Sequence, residues 1–252
     1  MTFNLRADNI IDIGNRWRQR CDMVYDIINQ SGCDIIGLQE VTNKMEMDLK
    51  LNVIGYHQMG LSRTKNLFVE RNTLLIKKKY HVIEEKTFWL SKKPEKESSS
   101  MWHSLFPRIC TMAICEYQGK KLAVYNTHLD CLSPIARKHG LEVILKKIKE
   151  QQTIEKMPYI LMGDFNAKPH SRVMQKIKDK GNTIDGLKPV QDIKPELYRK
   201  ATINGFKGKD NGRHIDYIFV SKEFDILDVK IMKYNRNGKY PSDHYPVQAE
   251  LQ

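Results

Sequence analysis

YILMGDFN, residues 159–166, joins a run of apolar residues to a short polar segment. The run at 159–162 is typical of a buried strand that is covered on both faces. Gly163-Asp164-Phe165-Asn166 then brings a carboxylate and an amide to the end of that strand. Asn and Asp also favour ordinary turns, so the buried strand before them is the feature that indicates a functional site.

Several other apolar strands of the chain also end in an acid, an amide or a histidine. Apolar patterning predicts strands at Met1–Arg6, Asp34–Val41, Leu74–Ile76, Thr87–Leu90, Lys121–Asn126, Ile215–Val220 and Val229–Tyr234, and a last one through Val247, Ala249 and Leu251. Spacing at threes and fours predicts a helix over Asn15–Ser31 and another after Ser133-Pro134, with Leu141, Ile144, Leu145 and Ile148 on one face. Polar groups gathered at strand ends are a common way to build a site.

The length of 252 residues fits one α/β domain, residues 1–252, better than two small ones. No apolar run approaches the roughly 20 residues that a membrane span needs. MTFNLRADN has no basic segment followed by an apolar one, so we expect a cytoplasmic protein without a signal peptide. The five cysteines have no C-x-x-C pairing or zinc-type spacing, which favours reduced, mostly buried thiols.

The chain carries a net charge of +12, from 42 basic and 30 acidic residues. Such a balance favours an anionic partner, whether nucleic acid, phospholipid or a small phosphate ester. Much of the excess is dispersed lysine of the kind that makes surfaces soluble, so the charge alone does not identify the partner.

Four groups of segments carry a family resemblance: TFNLR (2–6), GLQEV (37–41), NTHLD with GDFNAKP (126–130 and 163–169), and IDYIFVS with YPSDHYPV (215–221 and 240–247). In this order they resemble the endonuclease/exonuclease/phosphatase superfamily, and most closely its uncharacterised bacterial members near the deadenylase branch. The resemblance implies a DNase I-like fold: a four-layer α/β/β/α sandwich in which two mixed, mostly antiparallel sheets pack face to face between outer helices.

The same resemblance implies a metal site at Glu40, with Asn4 and Asp243 nearby. A hard cation such as Mg²⁺ prefers oxygen ligands and keeps several waters, so one or two protein carboxylates suffice. We therefore expect Mg²⁺ as the cofactor, with Mn²⁺ as an alternative.

The catalytic residues implied by the resemblance are His244, Asp216, Asp164, His128 and Asn166. A hydrogen bond from Asp216 would fix the imidazole tautomer of His244 and raise its basicity. Asp164 and Asn166 match the pair that orients the attacking water and the transition-state oxygens. His128 matches a histidine that donates to a phosphoryl oxygen or assists the leaving group. Whether His244 or Asp164 acts as the base stays open at this point.

Four further residues are expected to contact the substrate. Tyr125 and Asn126 could line the wall that carries His128, although a core position for Tyr125 is equally consistent with its pattern. Glu70 matches a glutamate of the bacterial subgroup, but ERNTLLI departs from the aromatic-proline run of those relatives. Arg137 could clamp a phosphate or, alternatively, cap its helix or pair with an acid. Side chains expected to shape or support the pocket are Arg6, Trp17, Trp89, Trp102 and Arg108.

The expected reaction is in-line attack of water on a phosphodiester, and a nuclease acting on DNA or RNA is the first interpretation. A phosphatase or phospholipase acting on an inositol phosphate, a sphingomyelin-like lipid or another small phosphate ester is the alternative. A non-catalytic phosphate-binding module is the second alternative, and the intact set of acids and histidines argues against it.

Overall fold

The computed structural model describes residues 1–65, 69–178 and 187–252. Its twelve strands are β1 (Thr2–Asn4), β2 (Ile35–Val41), β3 (Tyr56–Met59), β4 (Arg71–Lys77), β5 (His81–Trp89), β6 (Ile109–Tyr117), β7 (Lys120–His128), β8 (Tyr159–Asp164), β9 (Lys188–Pro189), β10 (Asp216–Val220), β11 (Ile226–Ile231) and β12 (Val247–Leu251). Its α-helices are α1 (Cys21–Gln30), α2 (Asn43–Asn52), α3 (Pro134–Ile154) and α4 (Arg172–Lys178). Short 3₁₀ helices lie at Trp17–Gln19, Val190–Ile193 and Pro195–Arg199.

The strands form two six-stranded sheets with the orders β11-β12-β1-β2-β4-β3 and β5-β6-β7-β8-β10-β9. Each sheet contains one parallel pair, β1 with β2 and β7 with β8, and its other pairs are antiparallel. Contacts of β1, β2 and β4 with β6, β7 and β8 bring the sheets face to face.

Three apolar layers hold the sandwich together. One lies between the sheets and includes Leu74, Val124, Met162 and Val247. A second packs the first sheet against α1 and α2, and a third packs the second sheet against α3 and α4. The four-layer DNase I-like sandwich predicted from the resemblance is therefore confirmed.

Two motif glycines are required by close packing. A Cβ atom on Gly163 would lie 1.9 Å from the Thr127 carbonyl oxygen of the neighbouring strand, and its φ of +146° also disfavours a side chain. A Cβ atom on Gly37 would lie 2.8 Å from Asn126 and from Met162, both of the opposite sheet. The two glycines thus let strands and sheets approach closely just beneath the polar strand ends.

The predicted helix at Asn15–Ser31 is divided by Arg20, whose backbone leaves the helical region at φ −138°. Arg20 is 2% exposed, and its guanidinium donates to the carbonyls of Leu5, Arg6 and Pro241. The interruption therefore lets one buried cation join the segment after β1 to the segment before β12. Among the described residues, no helix is both long enough and apolar enough to cross a membrane.

Candidate active site

Six polar side chains from six segments meet at one end of the sandwich. They are Asn4 at the end of β1, Glu40 near the end of β2, His128 at the end of β7, Asp164 at the end of β8, Asp216 at the start of β10 and His244 just before β12. Because β10 runs antiparallel to β8, its start lies beside the end of β8. The fold therefore brings together residues that are up to 240 positions apart in the chain.

Asp164 lies at the centre of this cluster. Its Oδ2 accepts a hydrogen bond from Asn4 Nδ2 at 3.1 Å, and it lies 3.6 Å from His128 Nε2 and 3.8 Å from His244 Nε2. The residue is 1% exposed, and burial together with the neighbouring Asp216 raises the pKa of Asp164 to about 7. A carboxyl group in this position can exchange a proton near neutral pH.

His244 and Asp216 form a buried pair. Their side chains meet through His244 Nδ1 and Asp216 Oδ2 at 2.9 Å, which leaves Nε2 of the imidazole facing Asp164. Burial opposes the charged imidazole, but the charge and hydrogen bond of Asp216 outweigh it and raise the pKa of His244 to about 10. His244 is therefore held as an imidazolium that can donate from Nε2.

Glu40 is fixed by local backbone geometry. It lies within an irregularity of the β2–β4 ladder and has a φ of +61°, an uncommon conformation for a residue with a side chain. Its carboxylate accepts from Asn4 Nδ2 at 3.1 Å and from the Ala7 N–H at 2.8 Å. Burial opposes ionisation, but the Ala7 N–H, Arg6 and Asn4 lower the pKa of Glu40.

Asp243 completes an oxygen-rich edge beside Glu40. Burial and the charge of Glu40 raise the pKa of Asp243, and its carboxylate lies 4.0 Å from Arg6 Nε. Asp243 and Glu40 are both partly exposed, so this edge of the cluster is open to the surface. Carboxylate oxygens from Glu40 and Asp243 suit a hard divalent cation. The predicted ligand Asn4 presents Nδ2 to Glu40, and its Oδ1 accepts from the Arg6 N–H at 2.9 Å, so Asn4 orients Glu40 instead.

A second group could also hold a cation. One ligand atom from each of Asp164, Asp216 and His244 lies within 4.8 Å of the others. Asp216 Oδ1 is buried and has no hydrogen-bond partner among the described residues. A cation at this group would have to displace the proton that His244 carries, whereas the Glu40 edge offers carboxylate oxygens directly.

His128 and Asn166 form the opposite wall of the cluster. Asn166 Nδ2 lies 3.0 Å from His128 Nε2 and donates to the Leu129 carbonyl at 3.1 Å. Its φ of +47° is one that asparagine tolerates better than most residues, which explains an amide at this position of the turn. Burial and the nearby Arg108 lower the pKa of His128, so this imidazole is neutral.

Sequence reasoning missed Arg63, which lies beside His128 in a small cleft together with Glu70 and Arg108. Arg63 donates to Glu70 at 2.9 Å, and its guanidinium stacks over the Phe106 ring at 4.9 Å. Burial and Glu40 raise the pKa of Glu70 to about 7. Only tertiary packing brings Arg63 here, because the segment that carries it has none of the motifs that mark the other site residues.

Two of the predicted substrate contacts are wrong. Tyr125 is 1% exposed and packs in the core beneath α3, on the face of β7 that points away from the site. Asn126 is fully buried and bonds across the sandwich to Gln39 and to the carbonyls of Leu38 and Thr73. Asn126 therefore joins the two sheets, and neither side chain reaches the surface.

Two other predicted residues, Arg137 and Trp89, lie near this wall of the site. Arg137 is partly buried on α3, donates to the Asp130 carbonyl at 2.8 Å and lines a large cavity that begins at Asn166. Trp89 is buried and donates to the Arg63 carbonyl, so it supports the site wall and cannot stack on a ligand.

Comparisons with known proteins agree with this architecture. The sequence profile of the Endonuclease/Exonuclease/phosphatase family matches residues 1–244. The mannosyl-6-phosphatase Bt3783 of Bacteroides thetaiotaomicron VPI-5482 has a TM-score of 0.89 and 26% identity, with 100% of this chain and 98% of that chain covered. An endonuclease/exonuclease/phosphatase from Bacteroides vulgatus has a TM-score of 0.88 and 28% identity, with 100% and 97% covered.

A more distant structure, D. rerio TDP2 complexed with single strand DNA product, has a TM-score of 0.73 at 18% identity, with 100% of this chain and 97% of that chain covered. At that identity the likeness concerns the fold alone. A search of curated proteins finds no match.

The profile match spans almost the whole chain, and the sandwich and its strand-end cluster are those that the motifs predict. Members of this family are phosphoester hydrolases that generally depend on a divalent metal ion. The chain therefore belongs to the endonuclease/exonuclease/phosphatase family.

Proposed function

We propose that the protein is a magnesium-dependent phosphodiesterase that attacks its substrate with an in-line water molecule. The observation that carries this proposal is the position of Asp164, whose carboxylate faces Asn4, His128 and His244 within 3.8 Å. Catalysis of phosphoryl transfer consists mainly of positioning and electrostatic stabilisation, and such a ring of fixed polar groups supplies both.

Glu40 and Asp243 are the residues that would hold the metal, and Asn4 orients Glu40 through its Nδ2 at 3.1 Å. The Ala7 N–H, Arg6 and Asn4 lower the pKa of Glu40 and so favour its ionised form, and its orientation is fixed by the Ala7 N–H at 2.8 Å. These ligands contain oxygen donors only, which favours Mg²⁺, with Mn²⁺ as the alternative. When bound, the cation would polarise the phosphoryl group and stabilise charge on the leaving oxygen.

Asp164 and His244 divide the proton transfers between them. Asp164 accepts a proton from water as the water oxygen bonds to phosphorus and the bond from phosphorus to the leaving oxygen breaks. His244 donates a proton from Nε2 to that leaving oxygen. The high pKa of His244 supports this division, because an imidazolium cannot serve as the base.

His128 and Asn166 stabilise the charge that develops on the non-bridging oxygens. Asn166 Nδ2 is hydrogen-bonded to Nε2 of the neutral His128 at 3.0 Å, and this bond would be exchanged for bonds to the phosphoryl oxygens when substrate binds. Arg63 and Arg108, beside His128, add positive charge to this wall. Groups that are already oriented when the charge develops are worth more than the same groups in water.

A nucleic acid is the first proposed substrate, because a polyanion matches the net charge of +12. A phosphorylated sugar is the second candidate, and the likeness to the mannosyl-6-phosphatase Bt3783 at 26% identity favours it. We also propose a reducing, cytoplasmic location, since all five cysteines are free.

A substrate panel tests this proposal. The protein is assayed with Mg²⁺ against bis-p-nitrophenyl phosphate, single- and double-stranded DNA, RNA and mannose 6-phosphate, with parallel reactions in EDTA. We expect hydrolysis that EDTA abolishes and added Mg²⁺ restores, with nucleic acid as the best substrate. Preference for mannose 6-phosphate would identify a phosphorylated sugar, the second candidate, as the substrate. Hydrolysis that is unaffected by EDTA would contradict the proposed metal site.

A further inference from the structure

A cavity of about 920 Å³ lies beside the catalytic cluster, and of the hydrolytic residues described above only Asn166 is among its lining residues. It is lined by the segment that follows β8, the first turns of α3, residues 212–215 and Tyr198. Asn166 and Arg137 both bond to the segment after β7, through the carbonyls of Leu129 and Asp130. The cavity therefore begins at the wall where the phosphate would lie and leads away from it.

The cavity is lined with cations. Five basic side chains border it, and among the described residues that line it there is no Asp or Glu: Arg137, Lys138, Lys168, Arg172 and Arg213. Within the described chain, none of these five forms an ion pair. Many lysines elsewhere are paired, as Lys121 is with Glu155 and Lys200 with Asp210. Unpaired cations in a concave surface concentrate anions there.

Apolar groups lie between these cations. Pro134, Ile135 and Pro169 border the cavity, and the ring of Tyr198 packs edge-on against His214. Cationic grooves interrupted by flat or apolar groups are suited to chains in which phosphates alternate with sugars and bases. A small sugar that carries one phosphate would leave most of this surface unused.

We propose that this groove binds a second phosphate of the same substrate, next to the phosphate that is hydrolysed at Asp164. This inference rests on the proposed function and narrows its substrate class to compounds with at least two phosphates. Lys168, which follows β8, and Arg213, which precedes β10, are the exposed lining residues assigned to the second phosphate. Nucleic acid is the favoured source, and a small bisphosphate is the other source of the same chemistry.

The test compares matched substrates in matched variants. A dithymidine dinucleotide with and without a terminal phosphate forms one pair, and fructose 1,6-bisphosphate with fructose 6-phosphate forms the other. The groove variant combines Lys168→Gln with Arg213→Gln. The control combines Lys120→Gln with Lys222→Gln, which removes the same charge from two exposed lysines. They lie at the start of β7 and just after the end of β10, away from the strand ends that carry His128 and Asp216.

In the wild type the second phosphate should raise kcat/KM about tenfold or more, as expected for a charged hydrogen bond. The groove variant should lose most of that gain, and the control variant should keep it. The pair that shows the gain identifies the source of the phosphate. Equal gains in the groove and control variants, or no gain in the wild type, would overturn the inference.

A binding measurement separates this inference from the proposed hydrolysis. Fluorescence anisotropy of a labelled, terminally phosphorylated oligonucleotide is recorded in EDTA, so that no turnover occurs. Weaker binding by the groove variant than by the control would support the groove even if no substrate were hydrolysed. Equal binding by both variants would contradict a phosphate site in the groove and would leave the proposed hydrolysis unaffected.

Discussion

Asp164 lies directly opposite Asp216, as its register partner on the neighbouring antiparallel strand. On the other side, His128 is the register partner of Asp164 across the parallel β7–β8 pair. Two facing carboxylates repel each other, and His244 bridges them, with 2.9 Å to Asp216 and 3.8 Å to Asp164. The row therefore combines a carboxyl of raised pKa with a cationic imidazole, an arrangement suited to proton transfer.

The coupling between His244 and Asp216 can be measured with a double-mutant cycle. His244→Ala and Asp216→Asn should each lower kcat about 100- to 1,000-fold, because the first removes the oriented donor and the second removes the carboxylate that orients it and keeps it charged. The double variant should be hardly worse than the worse single variant, since the pair acts as a unit. The control is His81→Ala, which changes an exposed histidine at the start of β5. Additive losses would mean that the two side chains act independently.

The pH dependence of kcat/KM follows from the shifted pKa values. Asp164 must be deprotonated, so the rate should rise with pH and level off at or below about 7, because a bound cation lowers that pKa further. His244 must be protonated, so the rate should fall again as the pH approaches about 10. Rates for bis-p-nitrophenyl phosphate between pH 5 and 10 check both limbs. A rate that falls between pH 5 and 7 would contradict the assignment of Asp164 as the base.

Glu40→Gln tests the metal position independently of turnover. The substitution keeps an oxygen donor but removes the negative charge, so the affinity for Mg²⁺ should fall. A ligand at 100 times its Kd stabilises the folded state by about 2.7 kcal/mol, which a thermal melt detects. Mg²⁺ should raise the melting temperature of the wild type and of the exposed control Glu196→Gln more than that of Glu40→Gln. Equal stabilisation of all three proteins would show that Glu40 does not hold the metal.

Gly163→Ala should destabilise the fold more than its backbone angle alone explains. Its Cβ would lie 1.9 Å from the Thr127 carbonyl oxygen, so β7 and β8 would have to separate. Gly119→Ala is the control, because its φ of +74° is also unfavourable but its Cβ would meet no atom within 4 Å. The control should lose about 1–2 kcal/mol. A similar loss for both variants in urea unfolding would show that the clash is relieved without cost.

The fold and the central cluster could be predicted because their residues lie in short, distinctive motifs. GLQEV and GDFN each combine a glycine needed for close packing with the polar residue it positions. Packing and chemistry therefore restrict which residues can occupy neighbouring positions of each motif. The alternation of side chains along β7 would also have excluded Tyr125 from the site. His128 and Asn126 share the face that looks toward the other sheet, so Tyr125 must point toward α3.

Other features have no local signal. The α2 helix has only Met45 and Leu49 buried, so its sequence lacks the apolar stripe by which helices are recognised. Arg63 reaches the site through the packing of Trp89 beneath its backbone and of Phe106 against its guanidinium. Contacts of this kind depend on residues far away in the chain and cannot be deduced from spacing.

Asp164→Asn is the most direct test of a shared hydrolytic site at the strand ends. The amide can still accept from the Asn166 N–H, which holds the turn at 2.8 Å, so the fold should be retained. With Mg²⁺ and bis-p-nitrophenyl phosphate, kcat should fall about 100- to 1,000-fold while the melting temperature stays close to that of the exposed control Asp22→Asn. Turnover near the wild-type rate in the purified, folded variant would contradict the assignment of Asp164 and the mechanism built around it.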